Sequence, residues 1–472
     1  MEYLKVSQVL KEKPIGKEVT VKGWLRSVRK SKAFSFLVIN DGSSQGTLQI
    51  IVDANSIDNY EKVSSLLNGA CVRVDGLIVE SGGKGQDVEM QGRMVEIYGE
   101  TDDSFPLQKK ATSLEFLREQ AHLRPRTNLF GAVFRIRHQM AMATHNFFND
   151  RGFYYLNSPI LTAVDAEGAG EMFQVTNLDM NNLPKNDKGQ VDYTTDYFGK
   201  ETNLCVTGQL EGECFAMGMG SVYTFGPTFR AENSNTPRHL SEFWMIEPEV
   251  AFMDLDGNAK LAQDYIQYLI RYTMEKAPAE LEAIDKYLAF SAKSNKEKFE
   301  SHLPILEKVR DTKFEQVTYT DAIDILNKSG HKFEFKPEWG VELQTEHERF
   351  LSEIHFKGPV TVTDYPRDCK AFYMKQNDDG KTVRAMDVLV PGVGEIIGGS
   401  QREEDLGKLQ TRIKEMGMSE DPLWWYMELR KFGTAPHSGF GLGFERAIRY
   451  VTGMNNIRDV IPFPRTPKSC DF

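Results

Sequence analysis

Two polar segments that lie far apart in the chain constrain its fold more than any other feature. The first is FRAE at 229–232, which a polar loop connects to Phe243, and the second is GFGLGFER at 439–446. An arginine at the end of a strand can stabilise the charge that develops on a phosphate under attack. We therefore predict that strands distant in sequence meet with one helix to form a clamp for a bent triphosphate.

The side chains of these two segments provide the groups that ATP requires. Arg230 would stabilise charge on the α-phosphate, Glu232 would accept a hydrogen bond from the adenine amine, and Phe243 would stack on the base. Read alone, an Arg–Glu pair is typical of a surface salt bridge, and the glycines are typical of close strand–helix packing. The predicted ATP-binding residues are Arg230, Glu232, Arg238, His239, Phe243, Gly441, Gly443 and Arg446, of which Arg230, Glu232 and Arg446 are also the predicted catalytic residues.

Length and charge narrow the class of protein. With 472 residues the chain exceeds one ordinary domain, and a net charge of -11 argues against a generic nucleic-acid binder. It contains no stretch of 18 apolar residues that would span a membrane. Its first residues lack a signal-peptide core and its five cysteines are scattered, which predicts reduced thiols and a cytoplasmic location.

The first hundred residues have the pattern of a small β-barrel. Short alternating runs such as 19–24, 34–39 and 71–79 are separated by turn signals. This pattern predicts a five-stranded OB-fold domain over 1–100, followed by a linker over 101–130.

The rest of the chain, 131–472, has strands in blocks with helices inserted between them. Helical periodicity is present over about 132–151 and about 255–330, strands are predicted over 359–402, and a polar insertion lies around 174–203. This arrangement indicates an α+β fold, with an antiparallel sheet flanked by helices, rather than a doubly wound parallel fold.

A turn between two predicted strands carries oxygen ligands. Asp387, Glu395 and Ser400 are grouped around glycines in this turn, and hard oxygen ligands shared with phosphates suit Mg²⁺. Acidic residues near glycine turns are usually only solvated, but a triphosphate site requires a metal. We therefore predict these three residues as the Mg²⁺ ligands.

Together these segments resemble motifs 2 and 3 of class II aminoacyl-tRNA synthetases of the aspartyl/asparaginyl/lysyl subgroup, and the resemblance covers nearly the whole chain. Residues 153–159 resemble motif 1, which builds the dimer interface in that family. GGSQRE at 398–403 resembles the strand whose arginine, here Arg402, binds the substrate side-chain oxygen. EGA at 167–169 resembles the mobile loop whose glutamate, here Glu167, holds the α-amino group. The resemblance implies an ATP- and Mg²⁺-dependent ligase, an anticodon-binding OB domain and a homodimer.

The segment VTGQLEGE at 206–213 bears on the choice of amino acid. Aspartyl members carry a lysine where this chain has Gly212, and here Glu213 follows. A carboxylate accepts hydrogen bonds from a carboxamide and repels a substrate carboxylate, so the segment resembles the asparagine-specific branch and implies L-asparagine and tRNA(Asn) as substrates. The residues implied to bind asparagine are Glu167, Gln209, Glu213, Arg230, Glu247 and Arg402.

Basic and aromatic residues of the OB segment suit single-stranded bases, which stack on rings while cations meet phosphates. The subgroup's pattern implies that Arg29, Phe36 and Gln49 read the central anticodon uridine. Phe34 and Phe36 alternate onto one face, so at least one of the two could instead be core packing.

Four other functions fit parts of this pattern. A non-discriminating aspartyl enzyme would share the ATP clamp. A lysyl enzyme would also require a carboxylate, to bind the ammonium group of its substrate, but would not need Arg402 beside that group. A ligase that makes free asparagine would not need the OB domain, and an inert RNA-binding protein would not need Arg230, Glu232, Glu395 and Arg446 together.

Overall fold

The computed structural model describes residues 1–83, 85–107, 112–166 and 171–472. Contacts between residues divide the chain into two compact units, Met1–Phe134 and Arg135–Phe472, and the division falls inside the helix α4 at Asn128–Asn149. This helix confirms the helical periodicity predicted from about residue 132, although it begins earlier.

The first unit contains a closed β-barrel. Strand β2 pairs with both β3 and β5, so the barrel closes in the order β2-β3-β4-β6-β5, with β4 and β6 parallel and the other neighbours antiparallel. The predicted five-stranded OB-fold is therefore confirmed. The elements are β1 Glu2–Tyr3, α1 Val6–Glu12, β2 Glu18–Lys30, β3 Phe34–Asn40, β4 Leu48–Asp53, α2 Tyr60–Ser64, β5 Cys71–Glu80, β6 Val88–Gly99 and α3 Leu114–Glu119.

The barrel core follows from the alternation of side chains along each strand. In β3 the side chains of Leu37 and Ile39 are completely buried, whereas Phe34 and Phe36 lie on the opposite, outward face. The reading that one of these phenylalanines is core packing is therefore not supported.

The second unit is built on one sheet in the order β12-β13-β14-β15-β16-β11-β10-β7. Neighbouring strands from β13 to β10 are antiparallel, as predicted, but β12–β13 and β10–β7 at the two edges are parallel. The sheet is therefore mixed, because helices placed between these edge strands in sequence provide the long crossovers that parallel pairing requires. The strands of this sheet are β7 Tyr154–Leu156, β10 Ser221–Phe229, β11 Glu242–Ala251, β12 Glu315–Thr318, β13 Val360–Pro366, β14 Thr382–Val390, β15 Gly394–Gln401 and β16 His437–Gly443. Strands β8 Leu161–Thr162 and β9 Asn203–Leu204 form a separate antiparallel pair.

Helices cover and extend this sheet. Helix α6 packs its apolar face on β14, β15 and β16, and Asp254 caps its first turn by accepting a hydrogen bond from the backbone N–H of Gly257. Helices α6 to α9 confirm the helical region predicted over about 255–330. The helices are α5 Gln209–Met219, α6 Leu255–Lys276, α7 Pro278–Asn295, α8 Leu303–Asp311, α9 Tyr319–Lys328, α10 Thr345–Arg349, α11 Leu406–Glu415, α12 Trp424–Lys431 and α13 Phe444–Thr452, with a π-helical turn at Phe350–His355 and 3₁₀ turns at Tyr193–Thr195, Arg367–Cys369, Asp421–Leu423 and Ile457–Asp459. A further 3₁₀ turn, Arg124–Arg126, belongs to the first unit.

The predicted polar insertion around 174–203 consists mainly of turns. Asp196 organises part of it by accepting hydrogen bonds from the hydroxyl of Thr176 and the backbone N–H of Asn177, at 2.6 and 2.9 Å. Its predicted function as a lid or a tRNA contact stays a prediction. No helix among the described residues combines the length and apolar character needed to cross a membrane.

Candidate active site and nucleic-acid face

A cavity of about 350 Å³ in the second unit brings the two polar segments together. The hairpin β10–β11 contributes the first segment, and β16 with the start of α13 contributes the second. The cavity wall contains most of the site residues predicted from sequence, namely Gln209, Arg230, Glu232, Arg238, His239, Phe243, Glu247, Asp387, Glu395, Arg402, Gly441, Gly443 and Arg446.

The β10–β11 hairpin positions Arg230 and Phe243 side by side. Phe229 pairs with Glu242 in the last register of the hairpin, and Arg230 extends it by donating its backbone N–H to the carbonyl of Ser241 at 3.0 Å. The guanidinium carbon of Arg230 lies 5.4 Å from the ring centroid of Phe243. A cation and an aromatic surface thus meet at one wall of the cavity, as adenine stacking and phosphate binding require.

The loop between β10 and β11 carries further polar groups into the cavity. The Nε2 atom of His239 lies 3.9 Å from Glu232 Oε2, and the Nδ1 atom of His239 lies 2.6 Å from the hydroxyl of Thr236. Arg238 donates a hydrogen bond from Nη1 to the hydroxyl of Thr345 at 2.9 Å, so helix α10 supports this arginine.

Arg449, in the last turn of α13, lies close enough to Arg238 and Arg446 to be repelled by both. Burial lowers the pKa of Arg449, and repulsion from Arg238 and Arg446 lowers it further. Crowded guanidinium groups are favourable where an anion such as a polyphosphate binds. Arg449, which was not predicted from sequence, follows Arg446 by three residues on the helix and so shares its face, but it is not among the residues that line the cavity.

Close packing explains one glycine of the second segment. A Cβ atom at Gly439 would lie 2.2 Å from Glu249 Oε1, so no larger residue fits while Glu249 holds its place. Nearby, Glu445 connects α13 to strand β11 by accepting a hydrogen bond from the backbone N–H of Trp244 at 2.9 Å, and to helix α4 by pairing with Arg137 at 2.7 Å. The packing role of these glycines and the binding role of the segment are therefore compatible.

Glu247 fixes the segment that begins helix α5. Its Oε2 accepts hydrogen bonds from the backbone N–H of Gly208 and the hydroxyl of Thr224, both at 2.9 Å, and its Oε1 accepts one from Thr207. These donors leave Glu247 as a rigid carboxylate in the cavity wall, directly beside the first residue of the helix, Gln209.

Arg402 is buried at the inner end of the cavity and is held by a second acid. Glu249 accepts hydrogen bonds from its Nη2 and, at 3.2 Å, from its Nε, and Ser400 accepts one from Nη1 at 2.9 Å. Both carboxylate and guanidinium are almost fully buried. Glu249 was not predicted from sequence, although it lies two residues after Glu247 on the same strand and hence on the same face.

Glu213 lies behind the cavity wall and not in it. The side chain is completely buried, and its Oε2 accepts hydrogen bonds from Arg430 at 2.8 Å and from His437 at 2.9 Å. Burial alone would raise the pKa of Glu213, but Arg430 and His437 hold that pKa below its usual value. Its Oε1 lies 3.9 Å from Nε of Arg402 and accepts from Gln209 Nε2 at 3.1 Å, so Glu213 reaches the cavity through these two residues.

Gly212, the position for which the resemblance to aspartyl members implied a lysine, lies against Glu249. A Cβ atom there would lie 3.2 Å from Cγ of Glu249. A side chain at 212 would therefore require Glu249, whose carboxylate bonds to Arg402, to shift its Cγ atom by a few tenths of an ångström.

The predicted metal ligands divide into two groups. The carboxylates of Asp387 and Glu395 converge, since a Cβ atom at Gly398 would lie 3.5 Å from Asp387 Oδ1 and 3.2 Å from Glu395 Oε1. Ser400 does not join them, because it is fully buried and its hydroxyl accepts a hydrogen bond from Arg402. A cation beside that guanidinium would be repelled, so the geometry favours the carboxylate pair alone.

A third carboxylate, Glu348, lies next to this pair. Its Oε2 accepts the backbone N–H of Glu395 at 3.0 Å, and burial raises its pKa to about 7, assisted by the negative charges of Glu395 and Asp387. Concentrated negative charge of this kind fits a divalent cation. Across the described ranges, however, no three His, Cys, Asp or Glu side chains are arranged as a complete ligand set. Glu167, the predicted ligand of the α-amino group, lies outside the described residues.

The barrel of the first unit presents the predicted anticodon residues on one outward face. Arg29 pairs in register with Phe36 across β2 and β3, and its guanidinium carbon lies 4.6 Å from the Phe36 ring centroid. Gln49 pairs with Val38 on the neighbouring strand and donates a hydrogen bond to Glu89 at 3.0 Å. Phe34 stands beside Phe36 with ring centroids 5.2 Å apart, which widens the aromatic surface.

Two family models match the chain in agreement with these two units. Residues 19–98 match the OB-fold nucleic acid binding domain, and residues 113–467 match the tRNA synthetases class II (D, K and N). The second match covers well over half of the chain.

Individual proteins are similar over the full length. The asparagine–tRNA ligase of Cytophaga hutchinsonii is 54% identical over 475 residues, with 100% of both chains covered. That of Porphyromonas gingivalis is 53% identical over 476 residues, covering 100% of this chain and 99% of its own. The crystal structure of asparaginyl-tRNA synthetase from Pyrococcus horikoshii complexed with asparaginyl-adenylate is 32% identical, with a TM-score of 0.85 over 100% of this chain and 99% of that one.

Proposed function

The chain belongs to the class II tRNA synthetases of the D, K and N family, and we propose that within it the chain is an enzyme that joins L-asparagine to tRNA(Asn) at the expense of ATP. A carboxylate oxygen of asparagine attacks the α-phosphorus of ATP, the bond to the β-phosphate breaks, and asparaginyl-adenylate and pyrophosphate form. A hydroxyl of the terminal ribose of the tRNA then attacks the activated carbonyl, and AMP leaves.

The observation that carries this proposal is the buried charge cluster at the inner end of the cavity. Arg402 lines the cavity, is bonded to Glu249 and lies 3.9 Å from Glu213. The oxygen of a substrate carboxamide can accept a hydrogen bond from Arg402. Its NH₂ group can donate to the side-chain oxygen of Gln209, whose own NH₂ group donates to Glu213. The carboxylate of aspartate would instead add negative charge to a site where each guanidinium already has an acidic partner.

The catalytic contribution of the protein is positioning and charge stabilisation rather than proton transfer. We assign Arg230 to the amino-acid carboxylate and the α-phosphate, and Phe243 and Glu232 to adenine. Arg238, His239 and Arg446 bind the β- and γ-phosphates. This assignment is supported by the fact that all of these side chains line one cavity.

Asp387 and Glu395 would hold Mg²⁺, with Glu348 behind them. When bound, the ion would neutralise charge on the pyrophosphate that leaves. Two observations support this fit: the two carboxylates converge, and the pKa of Glu348 beside them is raised. A divalent cation would offset the repulsion among these negative charges.

The choice of amino acid is tested by ATP–pyrophosphate exchange with asparagine, aspartate and lysine as separate substrates. We expect kcat/KM for asparagine to exceed that for aspartate by about a thousandfold or more, because an uncompensated carboxylate in a desolvated site discriminates strongly. Comparable exchange with aspartate would instead identify a non-discriminating aspartyl enzyme, and aminoacylation of tRNA would separate both from a ligase that makes free asparagine.

The outward face of the barrel is proposed to read the anticodon through Arg29, Phe36 and Gln49. We expect Phe36→Ala to lower kcat/KM for aminoacylation by about tenfold to a hundredfold, since stacking of one base on a ring contributes about 1–3 kcal/mol. The variant should leave ATP–pyrophosphate exchange unchanged. Phe290→Ala, which removes an exposed ring on α7, is the matched control and should change neither reaction. An equal loss in exchange and aminoacylation would contradict a role in tRNA recognition.

A homodimer is the assembly we propose. Strand β7 is at the edge of the sheet, and Tyr154 and Tyr155 on it, with Ile160 and Leu161 just beyond, are about half exposed. An exposed apolar edge strand of this kind is suited to pairing with a second copy. A cytoplasmic location remains the prediction made from the sequence.

A further inference from the structure

Lys370 lies against one of the two carboxylates assigned to the divalent cation. Its Nζ is 2.9 Å from Asp387 Oδ2, and the two side chains are only 16% and 15% exposed. The same ammonium group lies 4.0 Å from the ring centroid of Tyr365, which is buried. Lys370, Asp387 and Glu395 all line the cavity.

The ion pair has consequences for both partners. Burial on its own would lower the pKa of Lys370, but Asp387 raises that pKa above its usual value, so the side chain is a full cation at neutral pH. Burial, together with the charge of Asp387, also raises the pKa of Tyr365 well above its usual value, so the ring beside the ammonium stays neutral. The ammonium group of Lys370 therefore faces both the carboxylate of Asp387 and the neutral ring of Tyr365.

The second carboxylate has a weaker partner. Glu395 Oε2 lies 3.4 Å from Nη1 of Arg446, and both side chains are more than one-third exposed. Arg446 belongs to the cluster assigned to the polyphosphate, whereas Lys370 is the closer and more deeply buried cation. Of the two, Lys370 is the group that a divalent ion bridging the carboxylates would have to displace.

We propose that Lys370 is a built-in counter-cation of the divalent-metal site, which pairs with Asp387 in the nucleotide-free protein and competes with Mg²⁺ for that carboxylate. This inference rests on the metal site proposed above. Because of this competition, the protein alone binds a divalent cation weakly. Tight binding requires a ligand, such as a polyphosphate, that also attracts the ammonium group away from Asp387. Asp387 in turn avoids being left as an unpaired buried charge.

The experiment titrates nucleotide-free protein with Mn²⁺ and follows the free ion by electron paramagnetic resonance. Mn²⁺ is the probe because it takes the same hard oxygen ligands as Mg²⁺. We expect K370M to bind Mn²⁺ about tenfold more tightly than the wild type, because one repelling unit charge has been removed from a partly buried site. K370R keeps the charge and should keep the wild-type affinity. The double variant with D387N should lose the gain.

A matched control comes from the same segment of the chain. Lys375 forms an ion pair with Glu404 in which the side chains are 24% and 22% exposed, but neither residue lines the cavity. K375M therefore removes a lysine of similar burial without changing the carboxylate pair, and its affinity for Mn²⁺ should match that of the wild type. Thermal unfolding with and without Mn²⁺ provides a second measurement, since bound ligand raises the unfolding temperature.

The outcomes separate this inference from the proposed function. Equal or weaker Mn²⁺ binding by K370M would overturn the competition, as would the same gain in K375M. If K370M does not fold, K370Q replaces the same charge with a polar side chain and is held to the same criterion. Asparagine-dependent exchange by the wild type is measured independently, so the proposed function can stand when this inference fails.

Discussion

Replacing Arg230 with alanine is expected to lower asparagine-dependent ATP–pyrophosphate exchange by about a thousandfold, a loss of about 4 kcal/mol in stabilisation of the transition state. The guanidinium of Arg230 lies in the cavity wall beside Phe243, where it can meet both the attacking carboxylate and the α-phosphate. Charge on the phosphate oxygens increases as the bond forms. The loss should therefore appear in kcat as well as in kcat/KM.

Two control variants sharpen this measurement. Arg230→Lys keeps the charge but loses the planar fork that binds two oxygens at once, so its exchange should lie between wild type and Arg230→Ala. Arg310→Ala removes a half-buried guanidinium on α8 that pairs with Asp311 at 2.6 Å and does not line the cavity, so it should leave exchange unchanged. Binding of tRNA should be nearly the same in all of these proteins. Wild-type exchange by Arg230→Ala would exclude Arg230 from the reaction.

The features that could be predicted from sequence are those that depend on local pattern. Alternation along β3 places Phe34 and Phe36 on one outward face of the barrel. The FRAE segment at 229–232 lies at the end of β10, where the chain leaves the strand to form the connection of the β10–β11 hairpin. The chemistry of guanidinium and aromatic groups then indicated one pocket for two distant segments, and the structure has one cavity wall that contains both.

The features that escaped prediction depend on partners that only the tertiary fold brings together. Arg430 and His437, which stabilise the negative charge of Glu213, lie more than two hundred residues after it in the chain. Lys370 and Asp387 come from different elements, and nothing in either local sequence indicates the other. Similarly, the parallel pairing at the sheet edges depends on which strand a crossover reaches, which periodicity alone does not determine.

Glu213 shows how tertiary partners change the role of a residue. The sequence predicted an acid that contacts the substrate, whereas in the structure Glu213 lies behind the cavity wall. Its oxygens accept hydrogen bonds from Arg430, His437, Gln209 and the hydroxyl of Tyr426. Glu213 therefore determines the charge around Arg402 and the orientation of Gln209. We regard it as a positioning residue, and its loss should change selectivity together with stability.

We expect Glu213→Gln to lower the free energy of unfolding at neutral pH by about 3 kcal/mol or more, because it leaves the buried guanidinium of Arg430 without its charged partner. The ratio of kcat/KM for asparagine over aspartate should fall by about tenfold or more, since one negative charge that repels aspartate is gone. Chemical denaturation and the exchange assay with both amino acids measure the two effects.

The pH dependence provides an independent check with a defined sign. The pKa of Glu213 is lower in the folded protein than in the unfolded chain, so its stabilising contribution is complete above the unfolded pKa, about 4.3, and is lost as the pH falls below it. The difference in stability between the wild type and Glu213→Gln should therefore be constant near neutral pH and shrink in acid. Glu211→Gln makes the same chemical change on α5 at a half-buried position where burial raises the pKa of the carboxyl group, so it should not lower stability and should preserve selectivity. Unchanged stability and selectivity in Glu213→Gln would remove the buried cluster as the basis for choosing asparagine.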